Sequence, residues 1–195
     1  MPFSDRLKAG AIRGVYALLA CLPLRVIQWL GTALGQLLWV LDTDLARTTR
    51  INIGLCFPEL SPQEQQRLAR QSLLETGKTM LETGACWNWS LDKCRSLIRH
   101  IEGEQLFAER CADERGLILL LPHLCTWEML HPVLTAHTTF TAMYKPPEIP
   151  TLDAWMMKVR SRSSAVMVPT NRRGVSELMK ALKKGQCVVV LPDQE

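Results

Sequence analysis

The chain has 195 residues, a formal net charge of +4 and 47% apolar residues, which is enough for one domain with an appendage and a substantial core. Its seven cysteines are odd in number and form no CxxC pair or repeated spacing. That usage argues against a disulfide framework or a zinc ribbon and fits a reducing cytosol.

Two apolar runs open the chain, "VYALLACLPL" at 15–24 and "VIQWLGTALGQLLWVL" at 26–41, separated by Arg25 and preceded by Arg6, Lys8 and Arg13. Neither run reaches the roughly 20 residues that span a bilayer. Together they span one only with Arg25 near the middle, which is costly unless that side chain snorkels or the segment lies flat as a helical hairpin bent near Pro23. Residues 1–41 are therefore read as a membrane-inserted or interfacial helical anchor with its basic end on the cytoplasmic side. Two alternatives stand beside this reading: a secretory signal whose "LLAC" box ends at Cys21, and a buried soluble hairpin.

Residues 42–97 read as a helical region. In "ELSPQEQQRLARQSLLETGKTML", Ser61 is placed to cap a helix, Pro62 to occupy its first turn and Glu64 to close a capping box. Leu68, Leu73, Leu74 and Leu81 give that helix a loose apolar stripe. Trp87 and Trp89 in "ACWNWSL" suit a membrane interface, an apolar substrate groove or ordinary core packing.

From residue 98 the texture changes to short apolar runs alternating with amphipathic helices. "LIRHIEG", "GLILLL", "TFTAMY", "SAVMVP" and "CVVVLP" read as strands, and "EQLFAERCAD" as a helix. In "GVSELMKALKKG" the apolar positions Val175, Leu178, Met179 and Leu182 recur at i, i+3, i+4 and i+7 before Gly185. This alternation predicts an α/β fold for residues 98–195, a mostly parallel sheet with flanking helices, preceded by the helical anchor.

The strand reading places "LPHLCTWEML" beyond the carboxyl end of "GLILLL", where open α/β sheets bind ligands. Five residues on one helix turn through about 500°, so His123 and Glu128 can meet only if His123 lies on the loop. Glu128 then fixes the imidazole tautomer and leaves the other nitrogen free to deprotonate a hydroxyl. Asp193, past another strand end, is expected to converge on the same crevice. With no GxSxG elbow, direct attack by a substrate hydroxyl is expected in place of an acyl-enzyme. A capping or core role for His123 and a nucleophilic role for Cys125 remain alternatives. No HExxH or close histidine spacing suggests zinc, and no metal is expected. Residues 158–184 carry eight Lys or Arg against Glu177 alone, a local charge of +7. Such a field suits phosphates, an acidic protein or an anionic membrane, and equally a solvated helix face.

The segments "CFPELS" at 56–61, "GLILLLPHLCTWEML" at 116–130, "YKPPEIPTLD" at 144–153, "RSRSSAVMVP" at 160–169 and "ALKKGQCVVVLPDQE" at 181–195 resemble, in order and spacing, the lipid A biosynthesis acyltransferases of the lauroyl and myristoyl type. That family lies within the lysophospholipid acyltransferase group. The resemblance implies transfer of a fatty acyl chain from acyl carrier protein to a hydroxyl of a lipid A precursor at the cytoplasmic face of the inner membrane. It implies no cofactor beyond the carrier thioester that donates the chain, and membrane lipids but no nucleic acid among the partners.

It makes His123 the general base and Glu128 its orienting partner. Arg160, at a strand end in the cleft, binds substrate phosphate or developing negative charge, and Asp193 and Lys145 complete the substrate-binding set. The family usually has Phe-Gly-Asn where this chain has Leu124-Cys125-Thr126, and Arg where it has Lys145, which keeps the charge and loses the bidentate fork. Family members continue well beyond the position of Glu195, so a C-terminal truncation is expected. Action on another glycolipid or lysolipid, or an inactive lipid-binding remnant, is the alternative.

Overall fold

The computed structural model describes residues 3–113, 115–147, 149–162 and 165–192. The described residues form two compact units, one of Tyr16–Ala85 and one of the residues up to Val15 together with those from Cys86 onward.

The first unit is helical. It holds the end of α1 (Phe3–Ala20), α2 (Leu24–Val40), α3 (Asp44–Cys56) and most of α4 (Pro62–Asn88). The break expected near Pro23 lies between α1 and α2, where Pro23 serves as the N-cap of α2 in extended conformation. The capping box at the start of α4 forms as the sequence predicts: Ser61 Oγ accepts from the Glu64 N–H at 3.3 Å, and Glu64 Oε2 accepts from the Ser61 N–H at 2.9 Å.

Two glycines set how closely α2 approaches α4. A Cβ on Gly31 would stand 2.5 Å from the Lys78 Cα, and one on Gly35 would stand 2.6 Å from the Leu73 carbonyl oxygen and the Leu74 Cα. Gln28 Nε2 donates to Glu82 Oε1 at 2.8 Å across the same contact, and Ile27 and Leu73 are fully buried. Outside this seam the unit is strongly apolar, with Leu18, Trp29, Val40, Leu41, Ile51 and Leu55 exposed. No single helix among the described residues is long and apolar enough to cross a membrane, whereas α2 and α3 qualify by length and composition only as a pair bent by 85°.

The second unit contains α5 (Leu91–Leu97), α6 (Glu104–Cys111), β1 (Leu117–Leu120), a 3-10 turn (Trp127–Leu130), α7 (His131–His137), β2 (Phe140–Tyr144), α8 (Pro150–Arg160), β3 (Ala165–Pro169), α9 (Arg172–Lys183) and β4 (Cys187–Val190). The four strands form a wholly parallel sheet in the order β1-β4-β2-β3, so the α/β expectation holds for this part of the chain. One face packs Phe140, Ala142, Ala165, Cys187 and Val189 against Leu134 of α7, while α9 places Leu178 and Ala181 against Val168 and Val188 on the other. α9 lies close because Gly174, in its first turn, has no Cβ to meet the Pro169 carbonyl.

One predicted strand does not form. "LIRHIEG" carries the β-branched pair Ile98 and Ile101, but Leu97 closes α5, Ile98 is extended without a ladder partner, and Gly103 adopts a left-handed conformation to start α6. β-branched residues make a strand only where a neighbouring edge supplies hydrogen bonds.

The glycine seam generates the first expectation. Gly35→Ala forces backbone against backbone and lowers stability by roughly 1–3 kcal/mol, the usual cost of overpacking. Gly10→Ala in α1, where no atom lies within 4 Å of the added Cβ, gains helix propensity and raises the thermal midpoint. Circular dichroism melts of the two variants in the same buffer check the opposite signs.

Candidate active site

Because every strand is parallel, the carboxyl ends of β1, β2 and β4 open on the same edge of the sheet. β1 delivers the chain to the irregular segment 121–126, and His123 stands there, exposed, as the sequence predicts for a loop histidine. Its ring meets Trp127 edge to face with centroids 6.1 Å apart. Cys125 has φ 52°, a left-handed conformation that costs a non-glycine residue roughly 1 kcal/mol. The turn this produces aims the following 3-10 segment, begun by a Met129 N–H bond to the Thr126 carbonyl at 2.9 Å, into the unit.

Glu128, in that 3-10 turn, is carried inward and its side chain is only 6% exposed. A carboxylate so placed needs a charged partner. Arg160 provides it, donating to Oε1 from Nε at 3.0 Å and from Nη2 at 2.7 Å. The sequence reading sets Arg160 at a strand end; it is instead the last residue of α8, and the pair with Glu128 draws it in from the solvated basic face. Its guanidinium carbon lies 5.5 Å from the Trp87 ring centroid, 5.3 Å from Trp127 and 5.4 Å from Tyr144, distances at which each ring face adds cation–π attraction. Tyr144 is itself fixed by donating to Asp153 Oδ1 at 2.9 Å, and burial first, then that hydrogen bond, pushes its hydroxyl up to about 12. Trp87 is braced by Trp155, edge to face at 5.3 Å.

Glu128 and Arg160 line a small cavity of about 40 Å³ whose walls are otherwise largely apolar, among them Leu134, Phe140, Met143, Met167 and Val189. At about 10–15 Å³ for each water, that volume admits only a few solvent molecules.

His131 also lines the cavity. It is buried, stacks edge-on with Phe140 at 5.6 Å, and its Nε2 lies 3.0 Å from the Arg162 carbonyl oxygen. With a carbonyl as acceptor, Nε2 carries the hydrogen. Burial holds the His131 imidazole below its ordinary range. Arg162 binds three carbonyls, those of Val159 at 2.9 Å, Trp89 at 2.6 Å and Cys86 at 3.3 Å.

The structure thus joins Glu128 to Arg160 and places His123 beside Trp127, at the start of the same short turn. Lys145 is exposed immediately after β2, on the same sheet edge. Asp193 lies outside the described residues. Among the described residues no three His, Cys, Asp or Glu side chains are grouped to hold a metal ion. Sequence reasoning missed the aromatic rings around Arg160 and the roles of His131 and Arg162. The signals were faint: a tryptophan beside an apolar segment, a histidine one turn after Glu128, and one more arginine in a basic run.

The model of the bacterial lipid A biosynthesis acyltransferase family matches residues 8–195. The chain is 30% identical over 182 residues to the lipid A biosynthesis lauroyltransferase of Escherichia coli strain K12, covering 93% of this chain and 58% of the relative. A lipid A biosynthesis acyltransferase of Haemophilus influenzae is 26% identical over 183 residues, covering 93% of this chain and 57% of its own length. The lipid A biosynthesis palmitoleoyltransferase of Escherichia coli strain K12 is 27% identical over 182 residues, covering 93% and 58%. The chain therefore spans somewhat less than three-fifths of the length of these curated relatives.

Removing Arg160 leaves the Glu128 carboxylate buried without its cation. Arg160→Ala is expected to destabilise the fold by roughly 3–5 kcal/mol, the range for breaking a buried pair on one side. Lys180→Ala, which removes the exposed pair with Glu177, leaves stability nearly unchanged. Chemical denaturation of both variants provides the comparison.

Proposed function

This chain belongs to the bacterial lipid A biosynthesis acyltransferase family, and from that premise we propose that the whole protein transfers a fatty acyl chain from acyl carrier protein to a hydroxyl of a lipid A precursor. The observation that carries the reading is the placement of His123 beyond β1, on the sheet edge where ligands are expected, beside the turn that presents Glu128 to Arg160.

In this mechanism the imidazole of His123 takes the proton of the acceptor hydroxyl as the oxygen attacks the thioester carbonyl. The tetrahedral intermediate collapses by breaking the carbon–sulfur bond, and the departing thiolate recovers the proton from imidazolium as the carrier's free thiol. Glu128 is held by Arg160 at Oε1 and orients the His123 ring through Oε2. Arg160 spends Nε and one edge of Nη2 on Glu128, and the N–H groups of Nη1 serve a substrate phosphate or the oxyanion. Lys145 and Asp193 complete the acceptor side. The reaction needs no metal or organic cofactor, because the thioester is already an activated acyl group.

The exposed cations of α9 and its C-cap, Arg172, Arg173, Lys180, Lys183 and Lys184, supply a field for the acidic carrier or for the phosphates of the acceptor. Residues 1–41 form the anchor, followed by the helical region to 97 and the acyltransferase core from 98. The exposed apolar side chains of the helical unit and the basic N-terminal flank support attachment to the cytoplasmic face of the inner membrane.

Loss of a general base lowers turnover by roughly 10²–10⁴-fold, and His123→Ala in the full-length protein is expected to fall in that range. Glu128→Gln is expected to be milder, and substrate KM nearly unchanged in both. Steady-state transfer from acyl carrier protein to a lipid A precursor, with circular dichroism to establish folding, measures this; a folded His123→Ala protein within about threefold of wild type contradicts the role. For the anchor, deletion of residues 1–41 is expected to release the protein from alkaline-washed membranes, and unchanged retention places the attachment elsewhere.

A further inference from the structure

We propose that His131 and Arg162 are positioning residues that hold Arg160 against Glu128. The inference rests on the proposed function only in taking the Glu128–Arg160 pair to be part of the reacting site.

Arg160 ends α8, and the last turn of a helix has carbonyls without intrahelical partners and a tendency to fray. A guanidinium needed at hydrogen-bond distance from a buried carboxylate is poorly served by such a position. Arg162, two residues on, compensates. Its Nε bonds the Val159 carbonyl of that last turn, while Nη1 and Nη2 bond the carbonyls of Trp89, just past α4, and Cys86 in its last turn. The backbone of Arg162 is tied from the other side, because its own carbonyl accepts the Nε2 hydrogen of buried His131 at the start of α7.

The ends of α4 and α8 and the beginning of α7 therefore meet at one residue. Between the two α4 carbonyls lies Trp87, whose ring is one of the three around Arg160. The strap that fixes the Arg160 backbone thus also fixes one of its walls. Neither polar side chain of the strap is hydrogen-bonded to Glu128, so their action on the reaction passes through Arg160.

Fork geometry explains the choice of arginine at 162. Three acceptors in different directions match the planar array of guanidinium N–H groups, which an ammonium does not reproduce. At 131 the requirement is a buried side chain that reaches a carbonyl with one N–H and presents apolar surface to the cavity. Neutral imidazole meets it, and glutamine reproduces the donor without the ring.

The test uses the full-length protein with an acyl carrier protein thioester and a lipid A precursor, comparing His131→Leu, His131→Gln, Arg162→Lys and Arg160→Ala at matched folded fraction. His131→Leu keeps the packing and loses the donor, and turnover is expected to fall roughly tenfold to a hundredfold, as for small misplacements of a catalytic constellation, with KM unchanged. His131→Gln is expected to recover most of that loss, and Arg162→Lys to resemble His131→Leu. Should His131→Leu fail to fold, Arg162→Lys carries the comparison with His131→Gln. Wild-type turnover in folded His131→Leu or Arg162→Lys, or an equal loss in His131→Gln and His131→Leu, overturns the positioning role. Wild-type turnover in Arg160→Ala overturns the site reading itself and this inference with it.

Discussion

A carboxylate taken out of water must be given its charge partner by the fold, and the geometry around Glu128 follows from that requirement. The 3-10 turn after β1 sends the side chain into a largely apolar cavity, where it has little contact with water. Arg160 answers it with two N–H bonds to one oxygen. An arginine suits this better than a lysine because its diffuse charge is more weakly hydrated and tolerates aromatic faces on both sides. Trp87, Trp127 and Tyr144 supply those faces, and Asp153 and Trp155 hold two of the rings in turn.

The parallel sheet gives this arrangement its place. Parallel strands bring loops from separate parts of the chain to one edge, so His123 after β1 and Lys145 after β2 stand on the same edge of the sheet. Cys125 bears the strain of the turn between His123 and Glu128, with a backbone angle that glycine would adopt freely. The motif that this segment resembles has glycine at that position, so cysteine makes the turn here at a conformational cost that glycine avoids. The helical unit solves a different problem by a related means, since Gly31 and Gly35 bring two helix backbones together without side chains between them.

Periodicity and capping chemistry made much of the fold legible. Short apolar runs identified β1, β2, β3 and β4, the i, i+3, i+4, i+7 pattern identified α9, and Ser61 with Glu64 marked the start of α4. These signals are local, since each depends on residues within one element. "LIRHIEG" misled because its β-branched content is equally local, whereas a strand depends on a neighbouring edge that those residues do not reach.

The sequence by itself determined the α/β architecture, the family, and the loop position of His123, because strand and helix periods and motif order are written along the chain. The tertiary structure decided what Glu128 touches. Its partner Arg160 is 32 residues away, set in a basic run where nothing local distinguishes it from Lys158 or Arg162. Only the packing of α8 against the sheet, with its end tied through Arg162 to α4 and to His131, selects one cation of that run for the cavity and leaves others in solvent. A charge pattern records how many cations are present, while burial, which is a property of the folded chain, determines which of them is paired.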